Sequence, residues 1–300
     1  MKAILHPSQS RARVETQRAD CLRQRSVGAK FHYETPRQAE LWLKLHAQYA
    51  PPAGTAAPYQ AAAAALANEW PHEEGTLIAL GCGGGEKDLA ILAALPQGTR
   101  FVPTDVSEPL ALTAAAAVAG SVPLVFDLAM AEDLPEFLEQ YAGANRIFTF
   151  FGIIPNFPPN EILPQLRALI KPNDRLLLSA NLAPNGIAAI LPQYDNAPTR
   201  EWLGEFPRTH GAGKGAVKIT IEADDVPERI AAHFHFEEAC VMRANDQRFD
   251  FSSGDVLRLF VSCRYTLQSL AETLLAHGIV INDAFLSEDA EEGVFVCGLQ

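Results

Sequence analysis

The fold of this chain is decided by residues 76–88, which read TLIALGCGGGEKD. Five residues typical of a buried strand are followed at once by four glycines in five positions, and then by a charged stretch with helical composition. Glycine lets a backbone turn tightly and approach a ligand closely, and a helix that starts behind such a loop offers N–H donors to an anion. The segment therefore predicts a strand, a ligand-binding loop and a helix, in that order.

From residue 76 to about residue 180, short apolar runs alternate with helical patterns, which is typical of β-α-β units and a parallel sheet. The expected strands are residues 76–80, 100–106, 122–126, 146–151 and 175–180. The expected helices between them are residues 86–95, 109–118, 131–141 and 159–170. Five strands wound in this way predict an α/β fold with a doubly wound, Rossmann-like sheet, whose ligand site lies beyond the carboxyl ends of the strands.

The sequence on either side of this alternation has other patterns. They are helices at residues 36–49, 58–70 and 266–277, loops at 184–216, antiparallel strands within 217–223 and 231–265, and a last strand at 293–299. We therefore expect two parts. Residues 58–185 and 264–300 form the ligand-binding core, and residues 1–57 and 186–263 form a smaller α+β substrate-binding subdomain.

The 300 residues carry 36 acidic side chains against 24 Lys and Arg, which gives a formal net charge of −12. Nucleic-acid binding depends largely on cations that neutralise phosphates, so this balance argues against a nucleic-acid partner. The basic residues 1–30 are a local exception, for which we expect a solvated helix or arm. The acidic run at residues 288–292 is likewise expected to be solvated.

The cysteines are Cys21, Cys82, Cys240, Cys263 and Cys297. They show no C-x-x-C spacing, which favours reduced thiols in a cytoplasm over disulfides or a zinc site. His233 and His235 share one face of an expected strand but come with no third ligand, so no metal is expected. No run approaches the ~18 apolar residues of a membrane helix and the N-terminus lacks a signal-like apolar region, so we expect no membrane partner.

The glycine segment can be compared with three kinds of ligand-binding loop. A dinucleotide loop, G-x-G-x-x-G, would need glycine where Glu86 stands, and a P-loop would need glycine before Lys87 and Ser or Thr after it. The pattern G-x-G-x-G, formed by Gly81, Gly83 and Gly85, fits. It suits S-adenosylmethionine (SAM), which has no phosphate and presents a carboxylate, an ammonium and a ribose.

Acidic residues at the ends of the next two strands support this choice. Asp105 lies twenty residues beyond Gly85, at the end of the second strand, where its carboxylate could accept both ribose hydroxyls. After the third strand, Asp127 is placed for the adenine amine and Leu128 for the face of the ring. An adenosyl ligand is therefore expected across the ends of three successive strands.

Several phrases of the chain resemble one known family. They are the G-x-G-x-G-x-K loop ending at Lys87, VPTDVS at 102–107, FFGIIPNF at 150–157, PNDRLLL at 172–178 and SCRY at 262–265. From about residue 28 the chain is similar to SAM-dependent methyltransferases related to the histidine-specific Nα-methyltransferase of ergothioneine biosynthesis, a family that includes fungal enzymes acting on prenylated tryptophan. With this resemblance, the expected cofactor-binding residues are Gly81, Cys82, Gly83, Gly85, Lys87, Asp105, Val106, Asp127, Leu128 and Phe151.

In that family the amino-acid substrate lies between the two parts of the molecule. The resemblance implies that Tyr33 lines the amine pocket, Asn156 holds the amino and carboxylate groups, and Tyr194 contacts the carboxylate. Ser262 resembles the serine of a Glu-x-Ser pair that reads the imidazole, and Met242 resembles a methionine beside the ring. Tyr33 and Asn156 are the expected catalytic residues, because they would align a neutral amine whose proton leaves to solvent or through water at Tyr33.

The chain departs from the family pattern at two positions. Phe260 stands where the Glu of the Glu-x-Ser pair is expected, and Ala79 stands where many methyltransferases carry an acid. An imidazole beside Phe260 would leave an N–H unpaired, so an apolar or aromatic side chain suits the pocket better. We predict a SAM-dependent methyltransferase for the amino group of an amino acid or derivative other than histidine. A methyltransferase for a different metabolite, on oxygen or nitrogen, and a non-catalytic SAM-binding protein stay open, as do a monomer and a homodimer.

Overall fold

An eight-stranded sheet lies at the centre of the computed structural model, which describes residues 2–49, 57–70, 74–131, 133–224 and 227–300. Numbered in chain order, its strands are β1 (Ile4–Leu5), β2 (Thr76–Leu80), β3 (Arg100–Asp105), β4 (Leu124–Val125), β5 (Arg146–Phe151), β6 (Arg175–Asn181), β12 (Ile279–Leu286) and β13 (Glu292–Leu299). They lie in the order β1-β4-β3-β2-β5-β6-β13-β12. The first six are parallel, and β13 is antiparallel to both of its neighbours. The predicted doubly wound sheet is confirmed.

Helices cover both faces of this sheet. The α-helices, numbered in chain order, are α1 (Arg11–Gln24), α2 (Pro36–Tyr49), α3 (Ala57–Glu69), α4 (Glu86–Leu92), α5 (Glu108–Ala116), α6 (Leu134–Glu139), α7 (Pro159–Leu169), α8 (Ile187–Tyr194), α9 (Ala197–Leu203), α10 (Glu205–Thr209) and α11 (Leu267–Ala276). Leu77 and Ile78, neighbours on β2, point to opposite faces because side chains alternate along a strand. Ile78 packs with α6, α7 and α11, and Leu77 packs with α3, α4 and α5. Across the described ranges, none of the helices has the length and apolar character needed to cross a bilayer.

A separate apolar cluster lies outside the large sheet. Its strands are β7 (Gly215–Glu222), β8 (Arg229–Phe236), β9 (Cys240–Ala244), β10 (Gln247–Phe251) and β11 (Val256–Cys263). They form an antiparallel sheet in the order β11-β8-β7 and a hairpin of β9 with β10. With α1, α2, α8, α9 and α10 these strands bury residues such as Leu22, Trp202 and Ile230. We propose that this cluster is the substrate-binding subdomain, although β1 places Ile4–Leu5 on the large sheet.

Residues 184–216 were expected to be loops, and this expectation was wrong. Helices α8, α9 and α10 occupy most of the segment. Pro198 lies in the first turn of α9, where a missing N–H costs nothing because that donor has no partner within the helix. Pro192 lies near the end of α8. Proline in these short helices marks their ends, so reading proline as a loop signal hid them.

The basic N-terminus is not a solvated arm. Val14 and Leu22 of α1 are buried in the separate apolar cluster. Two of its cations also pair with acids outside the segment, since Arg18 lies 2.8 Å from Glu34, and Arg25 lies 2.9 Å from Asp255. Strand β12 was not expected either, because it is an edge strand with several exposed polar positions and therefore shows little hydrophobic pattern.

Candidate active site

A cavity of about 750 Å³ opens at the carboxyl edge of the parallel strands. The cavity lies at the end of β2, which has β3 on one side and β5 on the other. The strand order changes direction at this point, and ligands of doubly wound sheets bind at such points. One wall comes from the loops after β2, β3, β4 and β5, and the other comes from α1, α2, α9 and β11. The volume is in the range of small-molecule sites, and the large sheet and the separate cluster both contribute to it.

The loop after β2 is shaped by glycines in the left-handed conformation. The φ angle is +62° at Gly81 and +55° at Gly83, values that residues with a Cβ rarely adopt. A Cβ on Gly81 would lie 2.1 Å from the Ile153 side chain, and one on Gly83 would lie 2.8 Å from the Trp42 ring. Ile153 and Trp42 line the cavity, so they pack directly on the bare backbone of the loop.

Gly85, the third glycine of the pattern, does not lie on the cavity wall. Its φ angle is +82°, and an added Cβ would lie 2.7 Å from the Cβ of Ala114 in α5. The absence of a Cβ at Gly85 therefore allows α5 to pack closely against the start of α4.

Gly85→Ala is expected to lower the free energy of unfolding by about 1–3 kcal/mol, because it combines strain at a positive φ with a clash against Ala114. Gly84→Ala is the matched control, because the three atoms nearest to a Cβ there all belong to the carboxylate of the flexible Glu86 side chain. We expect that control to change stability by less than about 0.5–1 kcal/mol. Urea unfolding followed by circular dichroism measures both. An equal loss in the two variants would contradict the special constraint at Gly85.

Asp105, the last residue of β3, holds the glycine loop and lines the cavity. The Gly83 N–H donates to Asp105 Oδ2 at 3.0 Å, and the Ser107 N–H donates to Oδ1 at 2.8 Å. Burial raises the pKa of Asp105 to about 6, although these backbone donors favour the charged form. The backbone N–H groups of Gly83, Val106 and Ser107 all act on this carboxylate, and the acceptor capacity that they leave free suits the predicted contact with ribose hydroxyls.

The second predicted acid, Asp127, also lines the cavity, together with Leu128. Its carboxylate is already paired: Lys30 Nζ lies 2.9 Å from Oδ2, and the Ala129 N–H donates to Oδ1 at 3.2 Å. Lys30 lines the cavity as well. A ligand at this end of the cavity meets a carboxylate that is already paired with Lys30. An adenine amine would therefore share the Asp127 carboxylate with Lys30.

The remaining predicted cofactor residues, Cys82, Lys87, Val106 and Phe151, line the cavity. The Cys82 N–H donates to the Thr104 carbonyl at 2.9 Å, which ties the loop to β3. Burial raises the pKa of the Cys82 thiol, so it is protonated at neutral pH. Lys87, the second residue of α4, lies with its Nζ 3.3 Å from Glu292 Oε1.

Aromatic rings line the other half of the cavity. Tyr33 contacts Trp42 and Trp202, with ring centroids 5.7 and 5.3 Å apart. Trp202 meets Phe260 edge-on at 5.8 Å, and Phe260 stacks on Tyr194 at 6.4 Å. All five side chains line the cavity, and we call them the aromatic box.

Tyr33 is positioned by its neighbour His32. The His32 Nε2–H donates to the Leu259 carbonyl at 2.6 Å, at a β-bulge of β11, and the His32 carbonyl accepts from Trp202 Nε1 at 2.8 Å. Burial lowers the pKa of His32 to about 4, so the ring is neutral at neutral pH. His32 is fully buried and does not line the cavity, which makes it a support for Tyr33 and not a base.

The two predicted catalytic residues, Tyr33 and Asn156, line the same cavity. Burial raises the pKa of Tyr33, and the negative charge of Asp105 raises it further. The phenol therefore keeps its proton at neutral pH. Asn156 ends a short 3-10 turn, Ile154–Asn156, that follows β5 and carries its side chain toward the cavity.

Two predicted substrate residues, Met242 and Ser262, do not reach the cavity wall. Met242 lies on β9 with no exposed surface and packs inside the separate apolar cluster. Ser262 lies behind Tyr194, whose hydroxyl is 3.3 Å from Ser262 Oγ and also accepts from Arg264. Ser262 can therefore act on a ligand only through Tyr194.

Some residues of the site were not singled out in the sequence. Trp42 looks like an ordinary helix residue, and Trp202 lies in a segment that was expected to be a loop. Only the tertiary arrangement turns them toward the cavity. Glu292 was assigned to a solvated acidic run, but it is 8% exposed and lines the cavity. The sequence gives only a weak indication that Glu292 belongs to the site, namely its position directly before an apolar strand.

Within the part of the chain that the structure describes, no three His, Cys, Asp or Glu side chains are grouped to hold a metal ion. His233 and His235 lie with ring centroids 6.5 Å apart, and His233 Nε2 is 3.6 Å from a carboxylate oxygen of Glu222.

The strand order, the glycine loop at positive φ and the buried acid at the end of the next strand define the class of α/β methyltransferases that bind SAM. The residues fit this cofactor, because bare loop backbone, a carboxylate and the charged Lys87 face one cavity. Residues 28–204 match the family described as "histidine-specific methyltransferase, SAM-dependent", and the chain belongs to that family. It is a SAM-dependent methyltransferase, and the resemblance seen in its sequence is confirmed.

Two relatives and one solved structure illustrate this similarity. The chain is 30% identical over 227 residues to the histidine N-alpha-methyltransferase of Mycobacterium tuberculosis (strain CDC 1551 / Oshkosh), covering 68% of this chain and 69% of the relative. It is 26% identical over 222 residues to the enzyme of that name from Mycolicibacterium smegmatis, with coverage of 68% and 69%. The crystal structure of OxaC superposes with a TM-score of 0.50 at 14% identity, covering 95% of this chain and 62% of that one. At this identity the likeness shows the fold alone.

Proposed function

We propose that this methyltransferase acts on the amino group of a small molecule, an amino acid or a derivative, other than histidine. One feature carries the proposal: Phe260 stands in the aromatic box, and the resemblance to the histidine enzyme implies a glutamate at this position. A hydrocarbon ring there gives no acceptor for an imidazole N–H. It does favour stacking or edge contacts with an aromatic or apolar side chain.

Phe260 is 6% exposed, and its ring lies between Tyr194 and Trp202. A substrate ring in the aromatic box would meet planar surfaces in offset and edge-on orientations, which are the favourable ones for aromatic pairs. A protonated imidazole would lose water contacts there and gain no carboxylate partner from residue 260. This difference supports an aromatic or apolar side chain over histidine.

SAM, when bound, supplies an activated methyl group, so the protein has mainly to align a neutral amine. In the proposed mechanism Asn156 and Tyr33 hold the N–H groups of the amine, and this alignment is the main source of rate. Tyr33 keeps its own proton because its pKa is raised, so it serves as a hydrogen-bonding partner and not as a base. The amine proton leaves to solvent. Trp42 and Trp202 restrict the Tyr33 ring and exclude water from one side of it.

The experiment that tests the proposal is a calorimetric titration with S-adenosylhomocysteine, followed by histidine, tryptophan, tyrosine, phenylalanine and their N-methyl forms. A response from an amino acid other than histidine, with methyl transfer to its nitrogen, is the expected result. Cofactor binding without any amino-acid response would favour a different metabolite, with oxygen or nitrogen as acceptor, or a non-catalytic binding protein. A response from histidine alone would overturn the proposal.

Phe260→Glu is expected to shift selectivity toward histidine by at least about tenfold in kcat/KM, because it supplies an acceptor for the imidazole N–H. The same change should weaken use of aromatic amino acids, since a carboxylate would be buried beside their rings. Phe260→Leu is the matched control, because it replaces the ring by a smaller apolar side chain and adds no acceptor. Competition between histidine and tryptophan measures the ratio. An equal shift in the two variants would show that charge at this position does not set selectivity.

The five cysteines are free thiols, with Cys21, Cys263 and Cys297 buried. This supports the proposal that the enzyme works in a reducing compartment such as the cytoplasm.

A further inference from the structure

A partly buried ion pair lies on the cavity wall beside the glycine loop. Its members are Lys87 of α4 and Glu292 of β13, and their side chains are 17% and 11% exposed. We propose that Glu292 binds the α-ammonium of the SAM amino-acid group while Lys87 binds its carboxylate, and that the two residues pair with each other when no ligand is present.

The position of the pair in the sheet supports this assignment. Asp105, the predicted ribose contact, follows β3 on one side of the β2 loop. Glu292 begins β13 and pairs with Asn181 at the carboxyl end of β6, on the other side of that loop. An adenosyl group held near β3 and β4 would direct its amino-acid group across the loop toward β5 and β6. Lys87 and Glu292 stand at that end.

The Glu292 carboxylate is held in place independently of Lys87. Asn181 Nδ2 donates to Oε2 at 2.8 Å, and the Tyr59 hydroxyl donates to Oε1. Tyr59 is fixed in turn, since its hydroxyl lies 2.8 Å from Ser179 Oγ. Glu292 and Asn181 both line the cavity, so this carboxylate is presented to a ligand in a fixed orientation.

Lys87 is less constrained than its partner. Its Nζ lies 3.3 Å from Glu292 Oε1 and 4.7 Å from the centre of the Tyr59 ring. A lysine amine on a flexible stem can turn toward a new anion without moving the backbone.

The charges explain why two residues are needed. A zwitterion brings one positive and one negative group, and burying either without a partner is costly. Exchange of the Lys87–Glu292 contact for two contacts with the ligand keeps every charge paired. Glu292 is the carboxylate that lies beside Lys87, so it is placed to pair with the ammonium when Lys87 turns to the ligand carboxylate.

The test compares two ligands that share the adenosyl group. S-adenosylhomocysteine carries the zwitterion, and 5′-methylthioadenosine lacks it. We expect Glu292→Gln to weaken S-adenosylhomocysteine about 10- to 100-fold in a calorimetric titration, and to leave 5′-methylthioadenosine within about twofold. Glu288→Gln, four residues earlier at an exposed position, is the matched control and should change neither affinity.

The variants also separate binding from folding. Unchanged 5′-methylthioadenosine affinity in Glu292→Gln shows that the adenosyl site is intact. A deaminated S-adenosylhomocysteine should bind the wild type and Glu292→Gln equally, and Lys87→Gln should weaken it. If Glu292→Gln weakened both adenosyl ligands alike, or neither, the assignment would be overturned. These readouts depend on cofactor binding and are independent of the proposed methyl acceptor.

Discussion

Replacing Asp105 by Asn is expected to weaken S-adenosylhomocysteine binding by about 2–4 kcal/mol, or roughly 30- to 1,000-fold. The change removes a charged acceptor from the predicted ribose contact. It also weakens the anchor of the loop, since the Gly83 N–H donates to this carboxylate at 3.0 Å. Asp283→Asn, at an exposed position of β12, is the control and should bind normally. Calorimetry measures both. Tight binding by Asp105→Asn would remove Asp105 from the cofactor site.

The pH dependence of binding gives a second readout of Asp105. Its pKa is raised to about 6 by burial, and hydroxyl donors bind the charged form, so affinity should rise about tenfold per unit up to pH 6 and then level off. The ligand-free protein should respond in the opposite sense. A raised carboxyl pKa means that the folded state binds more protons than the unfolded state between pH about 4 and 6, so stability falls as pH rises through this window.

Asp88 also lines the cavity, and burial raises its pKa to about 7, so it titrates near the same range. The Asp105→Asn variant keeps Asp88. The part of the pH profile that disappears in this variant therefore belongs to Asp105, and a profile that is unchanged would show that Asp105 is not the titrating group.

The large sheet was predictable because its information is local. Each parallel strand is an apolar run bounded by a helix pattern, and the residues that follow β2, β3 and β4 must meet at one edge. This is why Gly81, Asp105 and Asp127 were placed in one site from sequence alone. Gly85 was placed there too, but its contact is with Ala114, and spacing along the chain does not distinguish a ligand contact from helix packing.

The other half of the site depends on contacts between distant segments. Glu292 lies in an acidic run, and it is buried because β13 pairs with β6, which no local pattern reports. Ser262 follows Phe260 by two residues on β11 and shares its face, but Tyr194 from α8 covers it. The resemblance therefore located the right strand and could not tell which of its side chains reaches the cavity.

Tyr33→Phe is expected to lower kcat about 10- to 100-fold while the affinity for S-adenosylhomocysteine changes by less than about threefold. The ring contacts with Trp42 and Trp202 need no hydroxyl, so the aromatic box should keep its shape. What is lost is the partner for the amine N–H. Tyr141→Phe, outside the cavity, is the control and should retain full kcat. Steady-state rates and calorimetry on the same preparations give the two quantities.

The outcome also decides what kind of group Tyr33 is. Because burial raises its pKa above that of a free phenol, a mechanism that uses it as a base would require ionisation that the site opposes. An aligning role predicts that the pH profile of the residual activity follows the substrate amine and keeps its midpoint in Tyr33→Phe. A midpoint that shifts in the variant would make Tyr33 a proton acceptor, and loss of cofactor binding would place it in the SAM site. An unchanged kcat would leave alignment of the amine to Asn156, whose Ala variant should then raise KM about tenfold or more.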